Sequence, residues 1–496
     1  MSRSSVCATM SPVKAISILG CGSGAGKSWV TTALAAWLHG QGVRVAPFKA
    51  QNMSNNAWVT ADGGEIGRAQ AVQAEACGLI PTVQMNPILL KPSGSLGSQV
   101  IVLGRSEGHC SGADYYQRFE SLWSRVRAVI DEWRTRCDVL LMEGAGSPVE
   151  LNLLQRDLVN LRPCRYVDGK WLFVGDIDRG GIFAQLAGLW SLLTPEDRDR
   201  SLGAIVNRFR GDLGLFQNPQ QWLAPYAPGL EVLGTLPYRA DLRPEEEDGL
   251  SDADVSRGTG ELIAWIRLPH LSNLTDVQPW WHDRGVRSQW VTRPDELESA
   301  HVIVLPGSKN TIADLDWLRA TGLADAIIEA AARGVLTIGI CGGYQMLGER
   351  LTDPRGIAGD AGTVAGLGLL PAETVFSEEK TLRQVVARCG VYESPAYEIH
   401  MGATHAHVAV EPLHEVRDDA GVRAEGMARA NVWGTYLHGW FDSPHVRRRV
   451  AAAARLAQHH AEPHSWAEQR RRVYVGMAEH LAQHVNLDPV KRYLGL

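Results

Sequence analysis

The sequence predicts an α/β protein with two doubly wound domains, each built around a parallel sheet. Short apolar strands alternate with helical stretches from residues 14–19 to residues 231–234, and a second series of strands starts at residue 261. In each series a glycine-containing turn joins a buried strand to a helix, at residues 20–28 and at residues 341–343. Such turns lie at the carboxyl ends of parallel strands, where α/β sheets bind ligands.

Composition narrows the function classes. The 496 residues exceed one ordinary core, and 45% apolar with 21% charged residues is typical of a globular protein in water. A net charge of −6 with no basic block argues against nucleic acid as a partner. The eight cysteines form no C-x-x-C pair, so we expect neither a zinc framework nor disulfides, but a reducing cytoplasm. No run of about twenty apolar residues occurs, so no membrane span or export signal is expected.

The chain divides by composition into four parts. We expect a first domain at residues 1–242 and a second at residues 261–445. Between them, residues 243–260 are acidic and glycine-bearing, as in a linker. Residues 446–496 are rich in arginine, histidine and alanine and predict a helical extension.

The first glycine-containing turn predicts a phosphate-binding loop. A strand, a glycine loop, Lys27, Ser28 and a helix follow one another in the order that phosphate binding requires. The amides around Gly24 and Gly26 would wrap the phosphates, Lys27 would counter their charge, and the Ser28 hydroxyl would ligate Mg²⁺. Five residues separate Gly20 from Gly26, one more than the standard spacing. The alternative is an ordinary glycine-rich turn.

Other polar residues follow strands of the same domain. Glu143 ends a buried strand, where an acid commonly holds Mg²⁺; alternatively it caps a helix. Lys49 is either a second cation on the phosphates or a solvated lysine. Asp176, Asp178 and Arg179 follow another strand and predict a substrate or metal loop, with a salt-bridged turn as the alternative.

Cys341 has the sequence setting of a nucleophile. It stands between a strand at residues 334–340 and a helix, and two glycines follow it. The N-terminus of that helix favours the thiolate. The alternative is a small buried thiol that ends a strand. The amides of Gly307 and Gly342 are the candidate donors to an oxyanion.

A thiolate that attacks an amide needs a base or an ion-pair partner. His438, in a glycine-flanked turn after a strand, is the best candidate, and His400 is its rival. Either residue can also be a structural histidine.

These motifs resemble known families. Gly-Ile-Cys-Gly-Gly-Tyr-Gln followed by Tyr-Leu-His-Gly is similar to the class I glutamine amidotransferase domain of the cobyrinate type. The long P-loop with Glu-Gly-Ala-Gly resembles the dethiobiotin synthetase-like P-loop NTPases. Their order, with the blocks KAQNMS, GGEIGRAQAVQAEA, DIDRGGIFA, VNRFRGD, PGSKNT and YEIHMG, closely resembles the cobyric acid synthase family over about residues 14–445.

The resemblance implies a reaction and its participants. A member of this family uses L-glutamine and ATP with Mg²⁺ to amidate the b, d, e and g side-chain carboxylates of a corrinoid, adenosylcobyrinic acid a,c-diamide. Cys341 would be the nucleophile and His438 its base. Ser28 and Glu143 would hold the Mg²⁺, and the P-loop with Lys27 would hold the ATP.

The resemblance also assigns residues around the substrates. Lys49 matches a lysine on the phosphate side, and Asn207 and Pro237 occupy the adenine-contact positions. From their positions in the chain, Arg68, Lys91 and Arg179 are candidates to neutralise the carboxylates of the substrate.

The sequence departs from the family pattern at the catalytic histidine. Many class I amidotransferases place an acid two residues after the histidine, where this chain has Trp440. The third member of the site therefore stays open, and the resemblance implies that a cysteine–histidine pair can suffice. Cys21 also replaces a polar hydroxyl residue in the P-loop.

Three alternative functions stay open. The nearest is cobyrinic acid a,c-diamide synthase, which shares both domains. The second is a P-loop switch NTPase with a non-catalytic amidotransferase-like domain. The third is an amide hydrolase with a regulatory P-loop. The sequence leaves the oligomeric state open.

Overall fold

The computed structural model describes residues 13–93, 97–245, 255–358 and 361–496. Residues 246–254 of the expected linker lie outside this range. The described residues form two compact units, and each unit is assembled from separate stretches of the chain. The first unit falls within residues 1–54, 64–247 and 470–496, and the second within residues 55–63 and 248–469. A short segment of the N-terminal half thus belongs to the second unit, and the C-terminus belongs to the first.

Six parallel strands form the central sheet of the first unit, as a doubly wound fold requires. The strand before the P-loop, Lys14–Gly20, lies between Val139–Glu143 and Lys170–Asp176. The strands are almost continuously apolar because helices cover both faces of a parallel sheet. The outer strands are Val45–Phe48 on one side and Ser201–Phe209 with Val232–Pro237 on the other.

Amphipathic helices cover this sheet. In Phe119–Trp133 the apolar Leu122, Val126 and Ile130 recur every four residues and are buried, so one face of the helix packs on the sheet. The other helices with most or all of their residues in this unit are Lys27–Gly40, Arg68–Ala76, Gly112–Gln117, Leu161–Tyr166, Ile182–Leu192, Pro195–Arg198, Pro219–Leu223, Trp466–His484 and Asp488–Leu494. A smaller sheet contains Gln51–Met53, Ile88–Ser93, Gly97–Val102 and Arg105–Cys110.

The C-terminal stretch contributes to the core of the first unit. Met477 and Leu481 are fully buried in one cluster with Leu34 and Leu242. Burying these side chains fixes residues 470–496 against the sheet, because each apolar side chain removed from water stabilises the fold by about 1.5–3 kcal/mol.

The second unit has its own sheet of seven strands. Leu336–Ile340, which precedes Cys341, lies parallel to and between Ala300–Leu305 and Val432–Thr435. The remaining strands are Glu261–Ile266, Val286–Val291, Ser256–Gly258 and Met427–Arg429, and the helices include Thr311–Ala320, Leu323–Ala332, Gly342–Leu347 and Pro444–Ala453. Two α/β units with parallel sheets confirm the predicted fold class.

A second, largely antiparallel sheet of this unit brings the histidine region to the cysteine. Its centre is a long hairpin, Ala372–Cys389 with Tyr392–Ala406. The short strand Leu437–His438 pairs with the second arm, so that His438 lies opposite Tyr397. The other strands are Arg350–Asp353, Gly362–Ala365, His414–Asp418 and Gly421–Glu425.

No helix within the described ranges has both the length and the apolar character needed to cross a bilayer.

Candidate active sites

Cys341 occupies a strained turn between strand and helix. Its backbone has φ 52° and ψ −110°, a left-handed conformation that non-glycine residues rarely adopt. The turn packs tightly on the neighbouring strand, since a Cβ on Gly343 would lie 2.0 Å from the Leu305 carbonyl oxygen. This is the geometry of a nucleophile elbow, and it confirms the predicted sharp turn.

His438 lies close to Cys341, and both side chains are buried. Burial disfavours charge on the imidazole, but the Asp276 carboxylate and Cys341 outweigh it and raise the pKa of His438 to about 10. The site therefore favours an imidazolium beside the cysteine, which is the protonation state that supports a thiolate.

Asp276 completes this arrangement, and sequence reasoning missed it. Its Oδ2 lies 2.7 Å from Nδ1 of His438, and its Oδ1 accepts the N–H of Gly439 at 2.9 Å. Asp276 belongs to the 3₁₀ helix Leu274–His282, far from His438 in sequence. The sequence left the third member of the site open, and the structure offers Asp276 as a candidate: this acid comes from another part of the unit, while Trp440 occupies the position two residues after the histidine.

His400, the other candidate for the base, makes contacts with residues other than Cys341. The ring of His400 stacks on Tyr436, with 3.6 Å between ring centroids, and its Nδ1 lies 3.0 Å from the Gly402 carbonyl oxygen. Burial lowers the pKa of His400 to about 4. His400 therefore stays neutral near pH 7, and these contacts support His438 as the base.

The two glycines whose amides are the candidate oxyanion donors lie beside Cys341 and His438. Gly342 begins the helix after Cys341, so its amide is one of the N-terminal N–H groups that a helix leaves unbonded. Gly307 is close to His438, since a Cβ there would lie 3.1 Å from Cε1 of that histidine. Their assignment as donors remains a proposal.

In the first unit, the P-loop is a closely packed cradle. Gly26 has φ 94°, and a Cβ there would lie 2.0 Å from Nδ2 of Asn207. The Lys27 ammonium donates to the carbonyl oxygens of Gly22 at 2.8 Å and Gly146 at 3.1 Å. Lys27 is thus folded back over the loop, close to the position where it would meet phosphates.

Glu143 lies behind the P-loop with three partners. Its carboxylate accepts hydrogen bonds from Ser28 Oγ at 3.0 Å, from Lys49 Nζ at 2.7 Å and from Gln73. Burial disfavours its ionisation, but Lys49, Gln73 and Lys27 outweigh burial and lower its pKa. A buried, ionised carboxylate beside a P-loop hydroxyl is a donor set that suits Mg²⁺.

Comparison with known proteins identifies both units. Residues 16–251 match the family model of the CobQ/CobB/MinD/ParA nucleotide binding domain, and residues 262–446 match that of the CobB/CobQ-like glutamine amidotransferase domain. Cobyric acid synthase of Roseiflexus castenholzii is 46% identical, over 87% of this chain and 90% of its own length. That of Desulforudis audaxviator is 44% identical over 97% of this chain and 99% of its own length.

The chain belongs to the cobyric acid synthase family. It is therefore an enzyme that joins a nucleotide-binding domain to a glutamine amidotransferase domain. The fold and the function class predicted from the sequence are confirmed.

Asn207 and Pro237, the residues expected to contact adenine, differ in their contacts. The Asn207 amide donates to the Ala25 carbonyl oxygen at 3.1 Å and so supports the P-loop. Pro237 ends its strand, and its carbonyl oxygen lies 2.9 Å from Nε2 of His480. Cys21 is an inert thiol here, because burial raises its pKa to about 12.

The candidate cations for the substrate differ in their surroundings. Arg68 and Lys91 are buried and form ion pairs with Glu245 and Glu65. The side chain of Arg179 is 66% exposed, although its Nε lies 3.6 Å from Oδ2 of Asp176, and a Cβ on Gly24 would lie 3.0 Å from its Nη2. Among the three, Arg179 is thus the cation that is both exposed and next to the P-loop.

The two aspartates that precede Arg179 in the same loop form ion pairs with arginines. Asp176 is buried and pairs with Arg208 at 3.0 Å, and Asp178 pairs with Arg210 at 3.2 Å. These contacts fit the salt-bridged turn that the sequence left open as an alternative.

Proposed function

We propose that this protein uses L-glutamine and ATP to convert the b, d, e and g side-chain carboxylates of adenosylcobyrinic acid a,c-diamide into carboxamides. One observation carries the proposal: a single chain combines Cys341 and the hydrogen-bonded His438 and Asp276 with a P-loop backed by the ionised Glu143. The first group suits amide hydrolysis, and the second suits phosphoryl transfer.

The glutaminase half-reaction follows from the protonation of the pair. The Cys341 thiolate attacks the carboxamide carbon of glutamine, and the amides of Gly342 and Gly307 stabilise the oxyanion. His438 gives its proton to the departing ammonia as the glutamyl thioester forms, and Asp276 holds the imidazolium in place. Water then attacks the thioester, with His438 as base, which releases glutamate and restores the thiol.

The ligase half-reaction activates a carboxylate that is otherwise a poor electrophile. An oxygen of the corrinoid carboxylate attacks the γ-phosphorus of ATP, giving an acyl phosphate and ADP, and ammonia then displaces phosphate to form the amide. Lys27 and Lys49 would stabilise the negative charge that develops on the phosphate oxygens. Ser28 and Glu143 would hold Mg²⁺, which neutralises the same charge.

The substrate is a polyanion, so the site needs a cation. Arg179 is the best candidate because it is exposed beside the P-loop, and a guanidinium pairs well with carboxylates. We place the reaction in the cytoplasm, where the free cysteines of the described chain stay reduced.

The test is mass spectrometry of the corrinoid after incubation with the protein, Mg-ATP and glutamine. The proposal predicts four successive carboxyl-to-carboxamide conversions of adenosylcobyrinic acid a,c-diamide. A protein that stops after converting cobyrinic acid to its a,c-diamide would instead be the diamide synthase. ATP turnover with an unchanged corrinoid would contradict the proposal and favour the switch NTPase.

A further inference from the structure

Aromatic and aliphatic side chains of the first unit form a cluster that is partly open to solvent. The Phe216 ring packs on Phe183, Phe209 and Trp222, with 5.4 to 5.8 Å between ring centroids. Trp222 is 47% exposed, and Leu215, which precedes Phe216, is 82% exposed. These five residues are here called the apolar surface. Exposed apolar side chains that cluster in this way mark a binding surface.

The apolar surface lies next to the P-loop. Phe209 is the last residue of a strand in which Asn207, two positions earlier, donates to the Ala25 carbonyl oxygen of the P-loop at 3.1 Å. Phe183 stands four positions after Arg179, whose guanidinium lies beside the P-loop. A molecule that covers the apolar surface would therefore lie next to the proposed ATP site.

Two more arginines border this surface, since Arg208 and Arg210 flank Phe209 in sequence. The Arg208 backbone has φ 60°, a strained conformation for a residue other than glycine and one that is kept most often at functional sites. The Arg210 guanidinium lies 3.7 Å from the centroid of the Tyr238 ring, which orients it. Each arginine donates to one aspartate, and a guanidinium has further N–H groups for a second carboxylate.

An apolar surface with arginines at its edge matches the chemistry of a corrinoid. A corrin macrocycle has broad apolar faces and carries its carboxylates on side chains around the rim. Aromatic and aliphatic residues cover such faces, and guanidiniums pair with such carboxylates. A second copy of the chain could also cover an apolar surface, but the arginines and the P-loop beside it favour an anion that reacts with a phosphoryl group.

The number of carboxylates to be amidated restricts how the macrocycle can be held. Four carboxylates at different positions on the rim must reach the same P-loop, so the macrocycle has to bind in more than one orientation. Apolar contacts are non-directional and therefore tolerate a rotated macrocycle. Hydrogen bonds from arginines have preferred directions, so they suit some orientations better than others.

We propose that the apolar surface binds the face of the corrin macrocycle, while Arg208 and Arg210 pair with carboxylates on its rim. The surface holds the macrocycle in each orientation that brings one carboxylate to the P-loop. The arginines add affinity in those orientations that place a second carboxylate beside them. The inference rests on the proposed function and adds the residues that select its substrate.

The test measures KM in the full-length protein with Mg-ATP and ammonium, using adenosylcobyrinic acid a,c-diamide and each purified, partly amidated intermediate as substrates. Leu215→Ser is expected to raise the KM for the corrinoid about tenfold in all four steps, because the apolar contact with the macrocycle is lost. The KM for ATP should stay in the wild-type range. Arg210→Gln is expected to raise the KM for the corrinoid unequally among the four steps.

Leu192→Ser is the matched control. Leu192 is a 50% exposed leucine of the same unit, and it ends the helix Ile182–Leu192 about 14 Å along the axis from Phe183. This variant should keep the wild-type KM. Isothermal titration calorimetry with adenosylcobyrinic acid a,c-diamide in the absence of ATP gives a readout without turnover. Leu215→Ser should weaken the Kd about tenfold, and Leu192→Ser should leave it unchanged.

The outcomes separate the inference from the proposed function. A wild type that amidates the corrinoid while Leu215→Ser keeps the wild-type KM and Kd overturns the inference alone. An effect of Leu215→Ser on only one of the four steps overturns the shared use of the surface. A wild-type dimer that Leu215→Ser dissociates in sedimentation, with unchanged corrinoid affinity, would assign the surface to a second copy of the chain. A wild type that neither binds nor amidates the corrinoid contradicts the proposed function itself.

Discussion

The Asp276 carboxylate lies 2.7 Å from Nδ1 of His438, although 162 positions separate the two residues in sequence. Asp276 also accepts the backbone N–H of Gly439, so both of its oxygens face the histidine turn. The carboxylate fixes the orientation of the imidazole and stabilises its protonated form. The carboxylate that contacts His438 thus belongs to a 3₁₀ helix that precedes Cys341 in sequence.

Replacing this acid should disable glutamine hydrolysis selectively. Asp276→Asn keeps the shape but removes the charge, so His438 loses the partner that stabilises its imidazolium. We expect the glutaminase kcat to fall on the order of 10²–10⁴-fold, as for other triads that lose their acid. Amidation supplied with ammonium should stay near the wild-type rate. Asp316→Asn, at an exposed aspartate of the same unit, is the control. A glutaminase loss smaller than tenfold would remove Asp276 from the catalytic site.

The same contact predicts how stability depends on pH. The pKa of His438 is raised from 6.5 to about 10, so the folded protein holds this proton more tightly than the unfolded chain does. The stabilisation is fully present below pH 6.5, and it is lost as the pH rises from there through about 10. Guanidinium unfolding should show a steeper fall in the free energy of unfolding over this window for wild type than for Asp276→Asn. Equal slopes would mean that Asp276 does not raise the pKa of His438.

We expect Glu143 to contribute both to ligation and to the stability of the fold, and two variants can separate these contributions. Glu143→Gln leaves the Lys49 ammonium buried without its counter-charge, which costs about 3–5 kcal/mol when one partner of a buried pair is removed. The double variant Lys49→Met/Glu143→Gln removes both charges and should recover much of this loss in thermal unfolding. Neither variant should amidate the corrinoid, even with ammonium. Ammonium-supported amidation by Glu143→Gln at the wild-type rate would rule out its role at the Mg²⁺ site.

The local sequence was enough to predict those parts of the two sites that consist of one strand and the turn after it. The P-loop, the strand that ends at Glu143 and the turn at Cys341 each occupy consecutive residues, and their strand–turn–helix order fixes where the backbone points. His438 was the better of two candidates because a short glycine-flanked strand carries it. These features are local, and the structure has them where the sequence placed them.

The features that the sequence did not predict depend on contacts between distant residues. No sequence motif marks the stretch that contains Asp276. Asn273, three positions earlier, has a left-handed backbone conformation, but this conformation cannot be read from the sequence. The ion pairs of Arg68 and Lys91 join residues 177 and 26 positions apart. Likewise, nothing in residues 55–63 indicates that they pack in the second unit, since burial against Tyr397 exists only after folding.

The most direct test of the two-centre account is amidation of adenosylcobyrinic acid a,c-diamide by Cys341→Ala, with glutamine and then with ammonium as the nitrogen source. The variant lacks the nucleophile, but it keeps the P-loop, Lys49 and Glu143. The account predicts no product with glutamine and four amidations with ammonium, followed by mass spectrometry. Product formed from glutamine at the wild-type rate, or none from ammonium in a folded variant, would contradict it.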